Sequence, residues 1–240
     1  MQLGWKLDCD YLVTIVRFSQ YQPRKSMATS AAKRSQRPDP RRDRTRDALL
    51  KAGRSLFAQR DVDGVSVDEI VDAAAVAKGS FYNHFADKEA FAREIASQAR
   101  REVELLVNKA NSGVDDPALG MARALCVFTR FAIDHGESAR TLWRLNTGAT
   151  MADAPINKGL ADVVSKGIER GVFKHVDVES GVLLVMGIIV ITLRHLFEER
   201  IQTQPKQIAQ EMAAGLLRAL GVSAARAAKL AQEAVLAVLG

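Results

Sequence analysis

Two short helical segments joined by a tight turn, within residues 65–91, constrain the fold more than any other part of the chain. Ser66 and Glu69 have the spacing of a capping box, and Val65 and Ile70 have the spacing of a hydrophobic staple. A helix is therefore expected to begin at Ser66. Its apolar pattern lasts only about two turns before the sequence "AVAKGS" interrupts it.

The next segment, residues 78–85, predicts a second short helix with an inner and an outer side. Phe81 and Phe85 are four residues apart and share one face, so we expect both rings to anchor the helix on a core. The outer side then carries small and polar side chains, namely those of Lys78, Ser80, Tyr82, Asn83 and His84. Lys, Asn and Ser donate hydrogen bonds to base edges, while Tyr and His reach phosphates or thymine methyl groups.

These two helices, with a helical pattern before them, predict a helix-turn-helix whose second helix enters the major groove of DNA. The helix that follows is expected to begin at Asp87 as its N-cap. Lys88 lies in its first turn, where the free backbone amides also favour a phosphate group.

The basic charge of the chain is concentrated at its N-terminus. Residues 1–46 hold eleven Lys and Arg against four Asp, a net charge of +7, so residues 47–240 have a net charge of −1. A basic arm on a near-neutral body favours docking on one polyanion rather than general binding of polyanions.

The remaining segments have helical periodicity and end at Gly, Asn or Pro, and no run alternates as a strand would. The predicted fold class is therefore all-α. The longest uncharged run, residues 180–193, is shorter than the ~18 residues of a membrane span, so a buried helix and no membrane partner are expected. Cys9 and Cys126 have no paired spacing, which excludes a disulfide framework and fits the cytoplasm.

Residues 44–95 resemble the DNA-binding domain of the TetR family of bacterial transcriptional regulators. The most specific part is "GVSVDEIVDAAAVAKGSFYNHFADKEAF". Ala75 stands in the turn where glycine is common in that family, and Ala adopts such a conformation only with strain. Phe91 stands where leucine is usual, a change that a core can repack around.

The resemblance implies an N-terminal three-helix DNA-binding domain and a larger helical domain that binds a small effector and forms a homodimer. The expected boundaries are a disordered basic tail at 1–43, with a possible true start at Met27, a helix-turn-helix domain at 44–90 and an effector domain at 91–240. Carried onto this sequence, the DNA-binding residues are Arg44, Thr45, Ser66, Lys78, Gly79, Ser80, Tyr82, Asn83, His84 and Lys88.

Two further sets of candidates come from the rest of the chain. The residues that could line an effector cavity, or be plain core, are Met121, Phe128, Phe131, His135 and Trp143. Further polar anchors could be Arg144, Arg194 and His195. The residues that could form a dimer seam, or the interior of one subunit, are Gly187, Ile191, Ile208, Met212 and Leu216.

The leading interpretation is a homodimeric transcriptional repressor that an unknown small-molecule effector releases from a near-palindromic double-stranded DNA operator. The alternative is a helical adaptor or an enzyme that retains the helix-turn-helix without binding an operator. No nucleophile arrangement, phosphate loop, paired carboxylates or metal-ligand cluster stands out, so no enzyme activity, cofactor or metal is expected.

Overall fold

The computed structural model describes residues 40–145, 152, 157–198 and 203–240. All regular structure within these ranges is helical, as the sequence predicted, and none of the described residues belongs to a β-strand. The helices are α1 Pro40–Gln59, α2 Val67–Ala73, α3 Lys78–Tyr82, α4 Lys88–Ala110, α5 Pro117–Asp134, α6 Gly136–Arg144, α7 Lys158–Glu169, α8 Val178–Leu196, α9 Pro205–Ala219 and α10 Ala224–Leu239. A short 3₁₀ turn, Val62–Gly64, lies between α1 and α2.

The N-terminal boundary differs from the expected one. Residues 1–39 of the expected tail, and with them the possible start at Met27, lie outside the described residues. Residues 40–43, also assigned to the tail, form the first turn of α1. Pro40 suits this position because the first residue of a helix needs no backbone N–H donor.

The N-terminal domain packs α1 to α4 around a core of aromatic rings. Phe57, Phe81 and Phe91 are fully buried, and Phe85 is nearly so. The ring centroids of Phe81 and Phe91 lie 5.2 Å apart, and those of Phe85 and Phe91 lie 4.7 Å apart. Edge-on ring pairs of this kind stabilise a core beyond their buried area, so Phe91 holds α4 against the short helix α3.

The close approach of α1 and α4 depends on one glycine. A Cβ atom on Gly53 would collide with the ring of Phe91 and with Ile95. Any larger residue at this position would push α1 away from α4, and the position of α3 on their shared core would change.

The larger domain contains α5 to α10, with α5 at its centre against α9 and α10. The main core there includes Leu125, Val182, Leu217 and Ala231, all fully or almost fully buried. Parallel packing of α5 and α10 is fixed at both ends. Arg226 pairs with Asp116 at 2.8 Å near their starts, and Arg130 Nε donates to the carbonyl of Val238 near their ends at 3.3 Å.

Helix α8 departs from the buried helix that its sequence predicted. Its inner face is buried, but Leu183 and Ile191 are 45% and 53% exposed. Within the described residues, α8 is the one helix whose length and apolar composition would also suit a membrane span, and 28% of that window is buried. An exposed apolar face on a helix of a globular domain is typical of an interaction surface.

Candidate nucleic-acid interface

The turn between α2 and α3 sets the angle at which α3 leaves the core. The N–H of Val76 donates to the carbonyl of Val71, and the N–H of Ala75 donates to the carbonyl of Asp72, both at 3.0 Å. This is a Schellman motif, in which the residue after the C-cap takes a left-handed conformation. That residue is Ala75, with φ of 54°, so the strain expected from its sequence is confirmed.

The start of α2 is fixed by the capping box that the sequence predicted. Ser66 Oγ accepts from the N–H of Glu69, and the side chain of Glu69 accepts from the N–H of Ser66. Arg60 joins the same cluster, with Nη2 2.8 Å from Glu69 Oε1. The backbone hydrogen bond at Ser66, followed by the Arg60 contact, lowers the pKa of Glu69 to about 2, so this carboxylate stays ionised. Ser66 also donates its hydroxyl hydrogen to Glu69 at 3.0 Å, which commits its side chain to the cap in the free protein.

Three of the five residues predicted for the outer side of the α3 segment are exposed, while Ser80 and His84 are half-buried. Phe81 is fully buried beneath it, while Tyr82 is 54% exposed, and Lys78 and Asn83 are also exposed. Gly79 is exposed too, and no atom lies within 4 Å of the position that its Cβ would take. The regular helix ends at Tyr82, three residues earlier than expected, with Asn83 as its C-cap.

Two lysines of the candidate interface already have protein partners. Lys78 Nζ lies 2.7 Å from Asp68 Oδ1 on α2. Lys88 Nζ donates to the carbonyl of Val65 at 3.0 Å and so ties the start of α4 to the residue before α2. Lysine has three donors, so Lys88 has hydrogens left for a phosphate, but it also supports the fold of the domain.

A polar cleft of about 440 Å³ lies between the start of α1 and the outer side of α3. Its lining consists of Arg41, Arg42, Thr45, Ser80, Asn83 and His84. Partial burial, followed by the charges of Arg42 and Arg46, lowers the pKa of His84 below its ordinary value, and Asp43 opposes this effect. The cleft is therefore cationic and rich in donors, which suits a phosphate of the DNA backbone.

The arginines that line the cleft differ from the one that the sequence predicted to contact DNA. Arg44 is exposed on α1 but does not line the cleft, whereas Arg41 and Arg42 do. Sequence reasoning missed both because it placed the start of the domain at Arg44. The signal that could have found them is Pro40, a residue favoured at the first position of a helix.

A second cavity, of about 700 Å³, lies in the larger domain between α4, α5, α7 and α8. Of the residues predicted for an effector cavity, Met121, Phe128 and Trp143 line this one. Phe131 does not, because it is fully buried in a neighbouring core cluster. His135 does not line the cavity either. It stands at the end of α5, with its ring 5.3 Å from Phe131 and its Nδ1 3.6 Å from Glu102.

The three residues predicted as further polar anchors for the effector do not line this cavity either. Arg144 pairs with Asp61 of the N-terminal domain, at 3.0 Å. Arg194 and His195 line a smaller groove of about 250 Å³ between α8 and α9.

Helix α6 connects this cavity to the DNA-binding domain. Leu142 and Trp143 line the cavity. On the other side, Thr141 Oγ1 lies 3.2 Å from the carbonyl of Arg54 on α1, and Arg54 Nη1 donates to Ser138 Oγ at 3.2 Å. Leu145, which follows α6, is packed within the N-terminal aromatic core. A displacement of α6 by a ligand would therefore reach α1 directly.

The five candidates for a dimer seam divide into two groups. Gly187 and Ile191 lie on the exposed face of α8, and Met212 on α9 is half-buried. Ile208 is buried and Leu216 is fully buried within the subunit. Leu216 is a core residue, because the stripe on α9 that it shares with Ile208 faces the inside of its own domain. The exposed surface that could form a dimer seam is instead on α8, at Leu183, Gly187 and Ile191.

No cluster of three or more His, Cys, Asp or Glu side chains in the described part of the chain is placed to hold a metal ion. Cys126 is fully buried in the core, and burial raises the pKa of its thiol to about 12. A thiol in this state does not form the nucleophilic thiolate.

Comparison with known proteins adds sequence evidence to this geometry. Residues 49–95 match the family described as "Bacterial regulatory proteins, tetR family". The HTH-type transcriptional repressor DhaR of Mycobacterium sp. (strain GP1) is 34% identical over 80 residues, which are 33% of this chain and 39% of DhaR. The HTH-type transcriptional repressor KstR2 of Mycobacterium tuberculosis (strain ATCC 25618 / H37Rv) is 28% identical over 142 residues, covering 54% of this chain and 69% of KstR2. The chain thus spans well under half the length of DhaR.

A solved structure extends the likeness beyond the DNA-binding domain. RolR in complex with resorcinol is 25% identical, with a TM-score of 0.56, and the likeness covers 80% of this chain and 94% of RolR. Residues 49–95 thus match the DNA-binding domain of the TetR family of bacterial regulatory proteins, and most of the described chain is similar in fold to RolR.

Proposed function

We propose that the protein is a homodimeric, cytoplasmic transcriptional repressor whose affinity for an operator is lowered by a small-molecule effector. The observation that carries this proposal is the exposed polar side of α3 beside the cationic cleft, in a domain that α6 joins to a cavity of about 700 Å³. The relatives DhaR and KstR2 are named as repressors, and RolR was solved with a small ligand, which supports the same assignment here.

DNA recognition would divide between two groups of side chains. Arg41, Arg42 and Thr45 on α1, with His84 just after α3, would hold a backbone phosphate in the cleft and set the orientation of the domain. Lys78, at the start of α3, would reach base edges. Two copies of α3 in a dimer would enter successive major grooves about 34–36 Å apart, so the operator should be near-palindromic.

The dimer would form through the exposed apolar face of α8, with Leu183, Gly187 and Ile191 at its centre. Gly187 has open space where a Cβ would lie, so the helix of a second subunit can approach its backbone closely. Covering Leu183 and Ile191 removes apolar surface from water, which favours association by ~25 cal/mol for each Å².

Release would follow from movement of α6. A ligand that contacts Leu142 and Trp143 would favour one position of α6, and Ser138 and Thr141 would transmit that position to α1. The ligand shifts the equilibrium only through the difference in its affinity for the two positions, so the operator must weaken ligand binding by the same factor.

A gel-shift assay tests the proposal, with the DNA that flanks the protein's own gene and a series of salt concentrations. The expected result is retardation of a near-palindromic fragment that weakens steeply as salt rises, because released counterions drive binding to phosphates. If no fragment is retarded at any salt concentration, the proposed function is wrong.

A further inference from the structure

The large cavity has a polar end and an apolar end, separated along α5. Gly120 and Phe128 both line it and are eight residues apart on this helix, which is about 12 Å along its axis. Asn111, at the end of α4, belongs to the Gly120 end, because its Nδ2 donates to the carbonyl of Gly120 at 3.1 Å. Trp143 belongs to α6 and lines the cavity from the side of the DNA-binding domain.

Most charges at the polar end are neutralised within the protein. Arg170 Nη1 and Nη2 both lie 3.0 Å from Asp115 Oδ1. Toward the other end of the cavity, on α4, Arg100 Nε likewise lies 2.7 Å from Glu104 Oε1. These pairs leave little net charge for a ligand to meet.

The remaining acid of the polar end, Asp116, is also engaged. Its Oδ1 accepts from the N–H of Ala118 at the start of α5, and its Oδ2 pairs with Arg226 at 2.8 Å. This carboxylate is therefore not available to neutralise a lysine across the cavity.

Lys166 is the exception among these charges. It lines the cavity from α7, one helical turn before Arg170, and no acidic side chain of the described residues lies within ion-pair distance of its Nζ. An anionic group of a bound ligand would provide the missing partner.

The side-chain oxygen of Asn111 also lacks a hydrogen-bond partner among the described residues. This atom, Oδ1, is buried. Exchanging the amide atoms would bring this oxygen against the carbonyl oxygen of Gly120, so the bond from Nδ2 fixes the orientation. A buried acceptor without a donor is costly, and it favours a ligand that supplies an O–H or N–H group.

We propose that the cavity binds an amphipathic hydroxy acid, with its carboxylate beside Lys166, its hydroxyl donating to Asn111 Oδ1 and its apolar body extending toward Phe128 and Trp143. As the identity of the effector, this inference rests on the proposed function. The apolar body would contact α6, the helix that bears on α1, so the polar group provides recognition and the apolar group provides the conformational signal.

A matched series of three ligands tests the chemistry without any mutation: 3-hydroxydecanoate, decanoate, which lacks the hydroxyl, and methyl 3-hydroxydecanoate, which lacks the charge. Isothermal titration calorimetry on the full chain, without DNA, gives the three dissociation constants. The hydroxy acid is expected to bind about tenfold tighter than decanoate, because Asn111 Oδ1 then gains its donor. It is expected to bind about threefold tighter than the ester, a small factor because Lys166 is exposed.

Two variants assign these differences to residues. Lys166→Gln should remove the preference for the acid over the ester and leave the effect of the hydroxyl unchanged. Asn111→Ala should remove the advantage of the hydroxyl and leave the effect of the charge unchanged. Lys206→Gln is the control, because Lys206 lies at the start of α9 and does not line the cavity. This variant should change neither preference.

The possible outcomes separate this inference from the proposed function. Equal binding of acid and ester, unaffected by Lys166→Gln, would overturn it, as would no binding of any of the three ligands. Binding with the expected preferences but without release of DNA in the gel-shift assay would support the ligand chemistry and contradict the proposed regulatory role.

Discussion

Lys78 Nζ, at the start of α3, lies 2.7 Å from Asp68 Oδ1 of α2. The hydrogen bond to Asp68, together with the charge of its carboxylate, raises the pKa of Lys78 above its ordinary value. Helix α3 therefore carries a cation whose partner in the free protein is a carboxylate of α2. If the protein binds DNA as proposed, the DNA would compete with this carboxylate for the same ammonium group.

Asp68→Asn is expected to strengthen DNA binding by roughly two- to fivefold, because Lys78 is then released and one negative charge is removed. Fluorescence anisotropy with labelled operator measures the affinity at several salt concentrations. Asp72→Asn is the control, since it removes the same charge from the same helix without touching Lys78. Equal gains in both variants would attribute the effect to overall charge and contradict the role of the pair.

Operator affinity is expected to fall by roughly two- to fivefold as the pH rises from about 5.5 to about 7.5. Burial and the nearby Arg42 and Arg46 lower the pKa of His84 in the free protein, and a phosphate in the cleft would raise it again. Binding would therefore take up a proton and be favoured at low pH. In His84→Gln the slope of affinity against pH should flatten, and an unchanged slope would place the phosphate elsewhere.

The same lowered pKa has the opposite consequence for the stability of the free protein. Below the ordinary pKa of about 6.5, the unfolded chain binds a proton at His84 that the folded chain binds less readily. The contribution of His84 to folding stability is thus present above this pH and is lost as the pH falls. Urea unfolding without DNA at both ends of the pH range, for the protein and for His84→Gln, measures this contribution separately from binding.

Ala75→Gly is expected to stabilise the protein by about 0.5–1 kcal/mol. The left-handed conformation costs Ala about 1–2 kcal/mol, and the added freedom of Gly in the unfolded chain offsets part of that gain. Urea unfolding of the free protein measures the change. The reverse substitution, Gly221→Ala, tests the same motif after α9, where φ is 85° and a Cβ would collide with the carbonyl of Lys174. It should destabilise the protein by about 1–3 kcal/mol, and a neutral result at both positions would contradict the assignment of strain.

Thr141→Val and Arg144→Ala are expected to weaken the coupling between effector and DNA without changing effector affinity in the absence of DNA. Both remove contacts from α6 to the N-terminal domain, to Arg54 and Asp61 respectively. The measured quantity is the ratio of operator affinities with and without effector, which should fall roughly two- to tenfold. Arg140→Ala is the matched control, because Arg140 lies on α6 but contacts the ring of Phe197 instead. An unchanged ratio in both test variants would exclude α6 as the connection.

Leu183→Asp is expected to convert the proposed dimer to monomers and to weaken operator binding by at least tenfold, because a single domain contacts only one half-site. Analytical ultracentrifugation measures the association state. Leu105→Asp on α4 is the control, since Leu105 is 69% exposed on a different surface, and it should leave the dimer intact. A dimer that survives Leu183→Asp would place the interface away from α8.

Features that depend on residues close in sequence were predicted from the sequence. The capping box at Ser66, the N-cap at Asp87 and the buried pair Phe81 and Phe85 follow from spacings of three or four residues. The strain at Ala75 was expected because a left-handed turn residue without glycine is costly wherever it occurs.

Features that depend on which face of a helix meets which neighbour could not be predicted in this way. Phe128 and Phe131 are three residues apart on α5, yet one lines the cavity and the other lies in the core. Leu216 has the pattern of a seam, but its stripe faces the inside of the subunit. The pairing of Lys78 with Asp68 depends on the angle between two helices, which periodicity does not determine.

Hydroxyl-radical footprinting of the protein on the DNA that flanks its own gene tests the central claim most directly. We predict two symmetric protected regions whose centres are about one helical turn apart. We also predict their loss in Tyr82→Ala, which removes a ring of α3 that is 54% exposed. Protection that persists in Tyr82→Ala, or a single region without symmetry, would contradict α3 as the reading helix of a homodimer.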